Sequence, residues 1–326
     1  MKKFSAILTV IIFMFNFTAD AKFKFPAPNP TTEFEKMDYA PLYPTYSWEP
    51  LANTEFYLVQ VLNENGEIVR EMLNTESLNR VTDWQPFNEV GEFSWRVCVI
   101  DKNKKQLSEW SIPKKISVIA PVTFAALGDS ITHGGANFIP SSQLSCQWET
   151  FCQYKIKNIG RSGDTTAQMI ERFEQDVLPF QPKVLLIMGG VNDIRIGLTA
   201  DEVIKNLKIL RDKCKANNIV PVFCTLTPMN EEIMTERGIP FKKSWKIERA
   251  KINEWILQND GVDVNKRLEA EGELRADFTP DGLHPDMRGK MVIGSTIEKF
   301  LAEHWFNFIT GNEIKGWAFV RVSSES

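Results

Sequence analysis

Val122-Thr123-Phe124-Ala125-Ala126-Leu127-Gly128-Asp129-Ser130-Ile131-Thr132 is the stretch on which the fold turns. Its first six residues are mostly apolar, do not alternate, and stop at a glycine, which is the pattern of a strand buried on both faces of a parallel sheet. The same texture returns downstream at Ile156–Ile159, Val184–Met188, Val220–Leu226 and, more weakly, Val262–Val264. Between these runs, 165–177, 200–216, 246–258 and 285–306 carry helical spacing, with Thr199 or Asp201 as N-cap and Pro285 suited to a first helical turn. A βα alternation of this kind predicts a doubly wound α/β fold, helices on both faces of a parallel sheet. Chemistry in such sheets gathers at the carboxyl ends of the strands.

Upstream of Pro121 the period changes to two. Short apolar stretches at Tyr46–Trp48, Phe56–Leu62, Phe93–Ile100 and Ile112–Ile119 are separated by turns such as Asn63-Glu64-Asn65-Gly66, the pattern of a small all-β sandwich. Phe93-Ser94-Trp95-Arg96-Val97-Cys98-Val99-Ile100, a Lys-rich turn and Ser108-Glu109-Trp110-Ser111 resemble the last hairpin of a fibronectin type III domain. Trp48, Trp95 and Trp110 read as sandwich core, the other reading being a sugar-stacking platform.

Residues 1–21 read as an export signal: Lys2 and Lys3, an apolar run from Phe4 to Phe17, and Ala19-Asp20-Ala21 as a cleavage site. That run is short of the roughly 20 residues a spanning helix needs. The expected organisation is therefore a signal peptide (1–21), a β-sandwich (22–120) and an α/β domain (121–326), secreted or periplasmic, with no stable membrane insertion after cleavage. The 38 Lys and Arg against 42 Asp and Glu leave a net charge of -4, without the basic footprint that nucleic acid requires. Five cysteines show no zinc spacing and read as buried thiols rather than bridges; the segment between Cys146 and Cys152 reads as helix.

The strand ends carry the candidate chemistry. The first ends in Gly128-Asp129-Ser130, the second in Asn158-Ile159-Gly160, the third in Gly189-Gly190-Val191-Asn192-Asp193, and Asp281-Gly282-Leu283-His284-Pro285 lies near the C-terminus. A serine hydroxyl needs an adjacent base to act as nucleophile, and the tetrahedral intermediate needs donors aimed at its oxyanion. His284 suits the base, and Asp281 can fix its tautomer. The N–H groups of Ser130 and Gly160 and the amide of Asn192 are candidates for the oxyanion hole. Of the other histidines, His133 follows the nucleophile turn, lining the pocket mouth or packing in the turn, and His304 lies on a C-terminal helix face. Asp129 and Asp193 read as loop-shaping residues, and Arg161 and Arg195 as surface or substrate-contacting.

On these residues, 121 to about 306 resemble the SGNH hydrolases of the GDSL esterase and lipase family, whose four family letters fall on Ser130, Gly160, Asn192 and His284. The resemblance implies a flavodoxin-like α/β/α sandwich and an acyl-enzyme on Ser130, with Asp281 three residues before His284 as in the family and Ile131 in place of the leucine of its name. No Gly-x-Ser-x-Gly elbow is present, which disfavours the ordinary α/β-hydrolase reading. No cofactor or metal enters the implied scheme. The substrate expected is a small-molecule or polysaccharide ester, foremost an O-acetyl group on carbohydrate. A lipid or short aliphatic ester is the second reading, resting on Phe138, Ile139, Trp148, Phe151 and the Met229–Trp245 insertion. Acyl transfer and glycan binding by a vestigial hydrolase complete the alternatives.

Overall fold

The structure, a computed structural model, describes residues 23–310 apart from 38, 55, 75–77 and 136–140. The signal-peptide reading of 1–21, the segment 311–326, Phe138 and Ile139 all lie outside the described residues.

The long apolar runs form one parallel sheet of β7 (Phe124–Gly128), β8 (Ile156–Gly160), β9 (Val184–Met188) and β10 (Val220–Phe223), in the spatial order β10-β9-β7-β8. Nearly every residue of these strands is buried, because helices cover both faces. The chain runs from β7 to β8 on one side and then crosses to β9 on the other. The point of reversal, where such sheets bind ligands, thus lies at the carboxyl end of β7. The expected fifth strand is reduced to one parallel bridge between Cys224 and Val262. Beyond it the Val264 N–H donates to Thr225 Oγ1 at 3.0 Å, so a side chain replaces the backbone ladder.

The helices are α1 (Ser130–His133), α2 (Thr166–Glu171), α3 (Phe173–Asp176), α4 (Val191–Ile196), α5 (Ala200–Ala216), α6 (Glu231–Glu236), α7 (Trp245–Gln258) and α8 (Met287–Thr310). Thr199 caps α5 in a reciprocal capping box with Glu202. At α8 it is Asp286, not Pro285, that meets the first turn, accepting from the Gly289 N–H at 3.0 Å. The helix expected over 165–177 is broken at Arg172, whose side chain turns inward. The Cys146–Cys152 segment forms two 3-10 turns rather than a helix. All five cysteines are free and four are buried.

The N-terminal half contains a four-stranded antiparallel sheet, β3 (Ile68–Asn74), β2 (Phe56–Asn63), β5 (Gly91–Ile100) and β6 (Lys114–Val118) in that order, and a separate pair of β1 (Thr45–Ser47) with β4 (Arg80–Thr82). Tyr46 of β1 meets Trp95 of β5 with ring centroids 5.0 Å apart, and Trp48 meets Tyr57 at 4.8 Å. Trp48 and Trp95 are fully buried, whereas Trp110 lies partly buried under the Arg96 guanidinium.

This layer is bonded to the parallel sheet's half. The Leu42 N–H donates to the Asn158 carbonyl at 2.9 Å, and the buried Lys157 ammonium donates to the Ala40 carbonyl at 2.6 Å. Tyr43 Oη donates to Asp176 at 2.5 Å, and the His133 ring bonds the Tyr43 carbonyl at 2.8 Å. Each buried bond to a charged group is worth about 1.5–3 kcal/mol. Residues 121–326 expressed alone should therefore unfold at a distinctly lower temperature than residues 22–326. Equal melting temperatures in a calorimetric comparison would show that the layers are energetically independent.

Candidate active site

The end of β7 delivers the nucleophile candidate by simple geometry. Gly128 is the last strand residue, Asp129 caps α1 by accepting from the Ile131 N–H at 2.9 Å, and Ser130 is the first helical residue. A Cβ at Gly128 would lie 2.7 Å from the Met188 carbonyl, so only glycine fits this close to β9. Burial pushes the Asp129 carboxyl up to about 7, the hydrogen bond from Ile131 opposing it.

Ser130 Oγ lies 2.8 Å from His284 Nε2, and His284 Nδ1 lies 2.7 Å from Asp281 Oδ2. A carboxylate only accepts, so Nδ1 carries the proton and Nε2 presents its lone pair to the serine hydroxyl. The other Asp281 oxygen accepts the backbone N–H groups of Leu283 at 3.0 Å and His284 at 2.8 Å. Burial works to raise the Asp281 carboxyl, but the hydrogen bond and charge of His284 and these N–H donors outweigh it and hold it down at about 2. Gly282 (φ +82°) makes the turn that lets one carboxylate reach both backbone and ring.

Asn192, at the start of α4 beyond β9, gives one amide hydrogen to the Asp164 carbonyl at 3.0 Å and lines the cavity in front of Ser130. Gly160 requires correction. Its N–H donates to Asn158 Oδ1 at 2.9 Å, it is buried in β8, and it does not line the cavity. A Cβ there would meet the His133 nitrogen at 2.3 Å, so glycine serves the packing of α1 on β8. Three residues on, Gly163 lines the cavity at φ +90°, with open space where a Cβ would be. Among the described residues its N–H has no protein acceptor. The distinguishing signal was available: Ser162-Gly163-Asp164 is turn sequence beyond the strand, whereas Gly160 closes an apolar run.

The cavity has a volume of about 570 Å³, within the usual range for small-molecule sites. Its walls include Ser162, Ser141, Arg195, Arg237, Ile239 and Leu283, but also Thr45, Arg80, Thr82 and Trp84 from the N-terminal half. Those four escaped the sequence reading, although an isolated tryptophan in the loop Asp83-Trp84-Gln85-Pro86 was a visible cue. His133 also lines the cavity, held between Ser162 Oγ and the Tyr43 carbonyl, both at 2.8 Å. The carbonyl fixes the proton on Nε2, and burial lowers the ring to about 4, so it stays neutral. His304 bonds the Phe300 carbonyl on α8, and Arg161 lies over the Tyr43 ring; neither lines the cavity. Asp193 accepts from the Thr166 N–H and hydroxyl, capping α2.

A serine, an imidazole and a carboxylate in hydrogen-bonded series at the carboxyl edge of a parallel sheet, opening on a cavity, are the equipment of a carboxylic ester hydrolase. The chain belongs to the GDSL-like lipase/acylhydrolase family, whose sequence model matches residues 126–292. Solved structures similar to it include a lipase/acylhydrolase from Enterococcus faecalis, 21% identical, covering 56% of this chain and 96% of that one with a TM-score of 0.45. An acetylxylan esterase from Geobacillus stearothermophilus is 20% identical, covering 56% and 95%, with a TM-score of 0.40. An N-acylneuraminate cytidylyltransferase of Streptococcus agalactiae is 26% identical over 147 residues, 45% of this chain and 34% of that protein. This chain thus spans about a third of the length of the curated relatives it matches.

Two glycine substitutions should separate packing from chemistry. Gly160→Ala should lower the melting temperature through its clash with α1, while Gly163→Ala, forced into a left-handed conformation at a cost of about 1 kcal/mol, should fold and lose turnover. Loss of turnover without destabilisation in Gly160→Ala would return that residue to the oxyanion site. Asp281, with its carboxyl depressed, contributes stability that is full above its unfolded value near 3.9 and is lost as pH falls through about 2. Acid titration of Asp281→Asn should lack that segment of the unfolding curve, and an unchanged curve would refute the assignment.

Proposed function

We propose that this is an exported serine esterase that removes short acyl groups, foremost O-acetyl, from carbohydrate. The observation that carries the reading is the unbroken series Ser130 Oγ, His284 Nε2 and Asp281 Oδ2 opening on a cavity whose wall mixes hydroxyl, arginine and a few apolar side chains. In the proposed reaction His284 takes the Ser130 proton as Oγ attacks the ester carbonyl, and Asp281 stabilises the imidazolium. The carbonyl oxygen becomes an oxyanion facing the N–H groups of Ser130 and Gly163 and the second amide hydrogen of Asn192. His284 then protonates the departing sugar oxygen as its bond to the acyl carbon breaks, takes a proton from the water that attacks the acyl-serine, and returns it to Ser130 Oγ as the acid leaves.

The wall supports carbohydrate over lipid. Among the described residues the half-buried Thr82 and Ser162 offer hydroxyls, and Trp84, Ile239 and Leu283 are the larger apolar side chains of the wall. Of the residues that suggested an acyl channel, Trp148, Met229 and Trp245 are fully buried in packing. Export through a signal at 1–21, the division of the chain at 120/121 and the fibronectin type III kinship of 22–120 belong to the same proposal. In it the N-terminal layer supplies one wall of the active site instead of acting as a spacer.

The test is hydrolysis of aryl esters from acetyl to long acyl chains, with Ser130→Ala as the blank. Turnover should be greatest for acetyl, and Ser130→Ala or His284→Ala should fall by roughly 10³ or more. A rate that rises with chain length would replace carbohydrate by lipid. An absence of Ser130-dependent turnover, with glycan retained, would make the protein a binding protein.

A further inference from the structure

The cavity wall is rich in arginine. The protein as a whole carries a net charge of -4, yet among the described residues the cavity is lined by three guanidinium groups, those of Arg80, Arg195 and Arg237, and by one carboxylate, Asp281, which His284 engages. Arg195 is the most informative of the three. It sits one turn beyond Asn192 on α4, and its two terminal nitrogens make only long, neutral contacts, to the Pro240 carbonyl at 3.3 Å and to Asn192 Oδ1 at 3.5 Å. Its buried Nε has no acceptor, and among the described residues no carboxylate pairs with it. The terminal nitrogens, held only by long neutral contacts, leave a planar fork that matches the two oxygens of a carboxylate.

Trp84 supplies a second, independent feature. A large aromatic side chain is ordinarily covered, but this one is 47% exposed in the cavity wall, its ring held 5.5 Å from His133 and 6.2 Å from Tyr43. A ring fixed from behind and open in front offers an apolar face on which the C–H face of a pyranose can pack. Of the hydroxyls that border the same space, those of the half-buried Thr82 and Ser162 can serve the sugar's own hydroxyls, while the buried Thr45 and Ser141 bond each other.

We propose that this part of the cavity is a subsite for a carboxylate-bearing sugar, with Arg195 taking the carboxylate, Arg237 adding positive potential and Trp84 carrying the ring, so that the preferred substrate is an O-acetylated acidic saccharide. The inference rests on the esterase reading given above. It makes Arg195 a specificity residue as well as a neighbour of Asn192.

The experiment follows acetate release from O-acetylated polygalacturonate and from the same polymer with its carboxylates methyl-esterified, with an aryl acetate alongside. The expected result is a preference for the charged polymer in kcat/KM that Arg195→Gln reduces by about ten- to a hundredfold, the usual value of a charge-assisted bond. Arg237→Gln should reduce it less, and added salt should erode it. Trp84→Ala should raise KM for both polymers. Equal rates on charged and esterified polymer, or an Arg195→Gln loss shared equally by both, would overturn the inference and leave Arg195 as a support for Asn192. Failure of the esterase reading is distinguishable, because the aryl acetate would then also show no Ser130-dependent turnover.

Discussion

One buried cation holds the site's framework together. Arg172, 6% exposed at the break between α2 and α3, donates to the Gly128 carbonyl at 3.0 Å and the Ile159 carbonyl at 2.9 Å, and so joins the carboxyl ends of β7 and β8. It also binds the carboxylates of Asp164 at 2.5 Å and Asp176 at 2.9 Å. Asp164 passes the constraint on through its carbonyl to Asn192, and Asp176 passes it on by accepting from Tyr43 of the N-terminal layer. A guanidinium can serve four acceptors at once because its donors diverge in one plane, which an ammonium cannot do. Two carboxylates and two carbonyls offset the cost of burying it.

How much of this was legible in the sequence depends on the range of the interaction. Strands buried on both faces write themselves as apolar runs, so β7 to β10 were readable, as was α5 with its Thr199 cap. Ser130, Asn192, Asp281 and His284 were readable as a set because each follows a strand end or lies in a turn whose chemistry is local. Gly160 was misread because a glycine at the end of a strand serves close packing and oxyanion binding with the same letter, and only the α1 contact tells them apart. The broken helix at Arg172 and the reduced fifth strand at Val262 were not legible. In both, a side chain makes contacts across the fold that no local pattern encodes: Arg172 with the ends of β7 and β8, Thr225 with the Val264 N–H. Trp84, Thr45 and Arg80 were missed for a related reason: nothing in a period-two pattern says which strand pair will face Ser130 far along the chain.

The polar interior shows how closely the two halves are joined. Lys157 is fully buried in β8, with its ammonium on the Ala40 carbonyl and the Phe180 ring 4.4 Å away, and burial lowers it to about 7. Lys290 is likewise buried and donates to the Ile131 carbonyl, fastening the start of α8 to α1 beside Ser130. His133 joins α1 to Tyr43 while remaining neutral. Such groups are tolerated in a core only where each finds a fixed partner, and the partners here lie on different layers. The site is therefore rigid through polar contacts as much as through apolar packing.

The wall formed by Thr45, Arg80, Thr82 and Trp84 also has a consequence for biogenesis. These residues precede Ser130 in the chain and leave the ribosome before it, while Asp281 and His284 come last. The wall residues are made first and the Asp281–His284 turn last, and neither encloses a cavity until the layers dock. A nascent or half-folded chain thus has no formed pocket in which to activate a serine, and hydrolytic competence arrives as a property of the finished molecule.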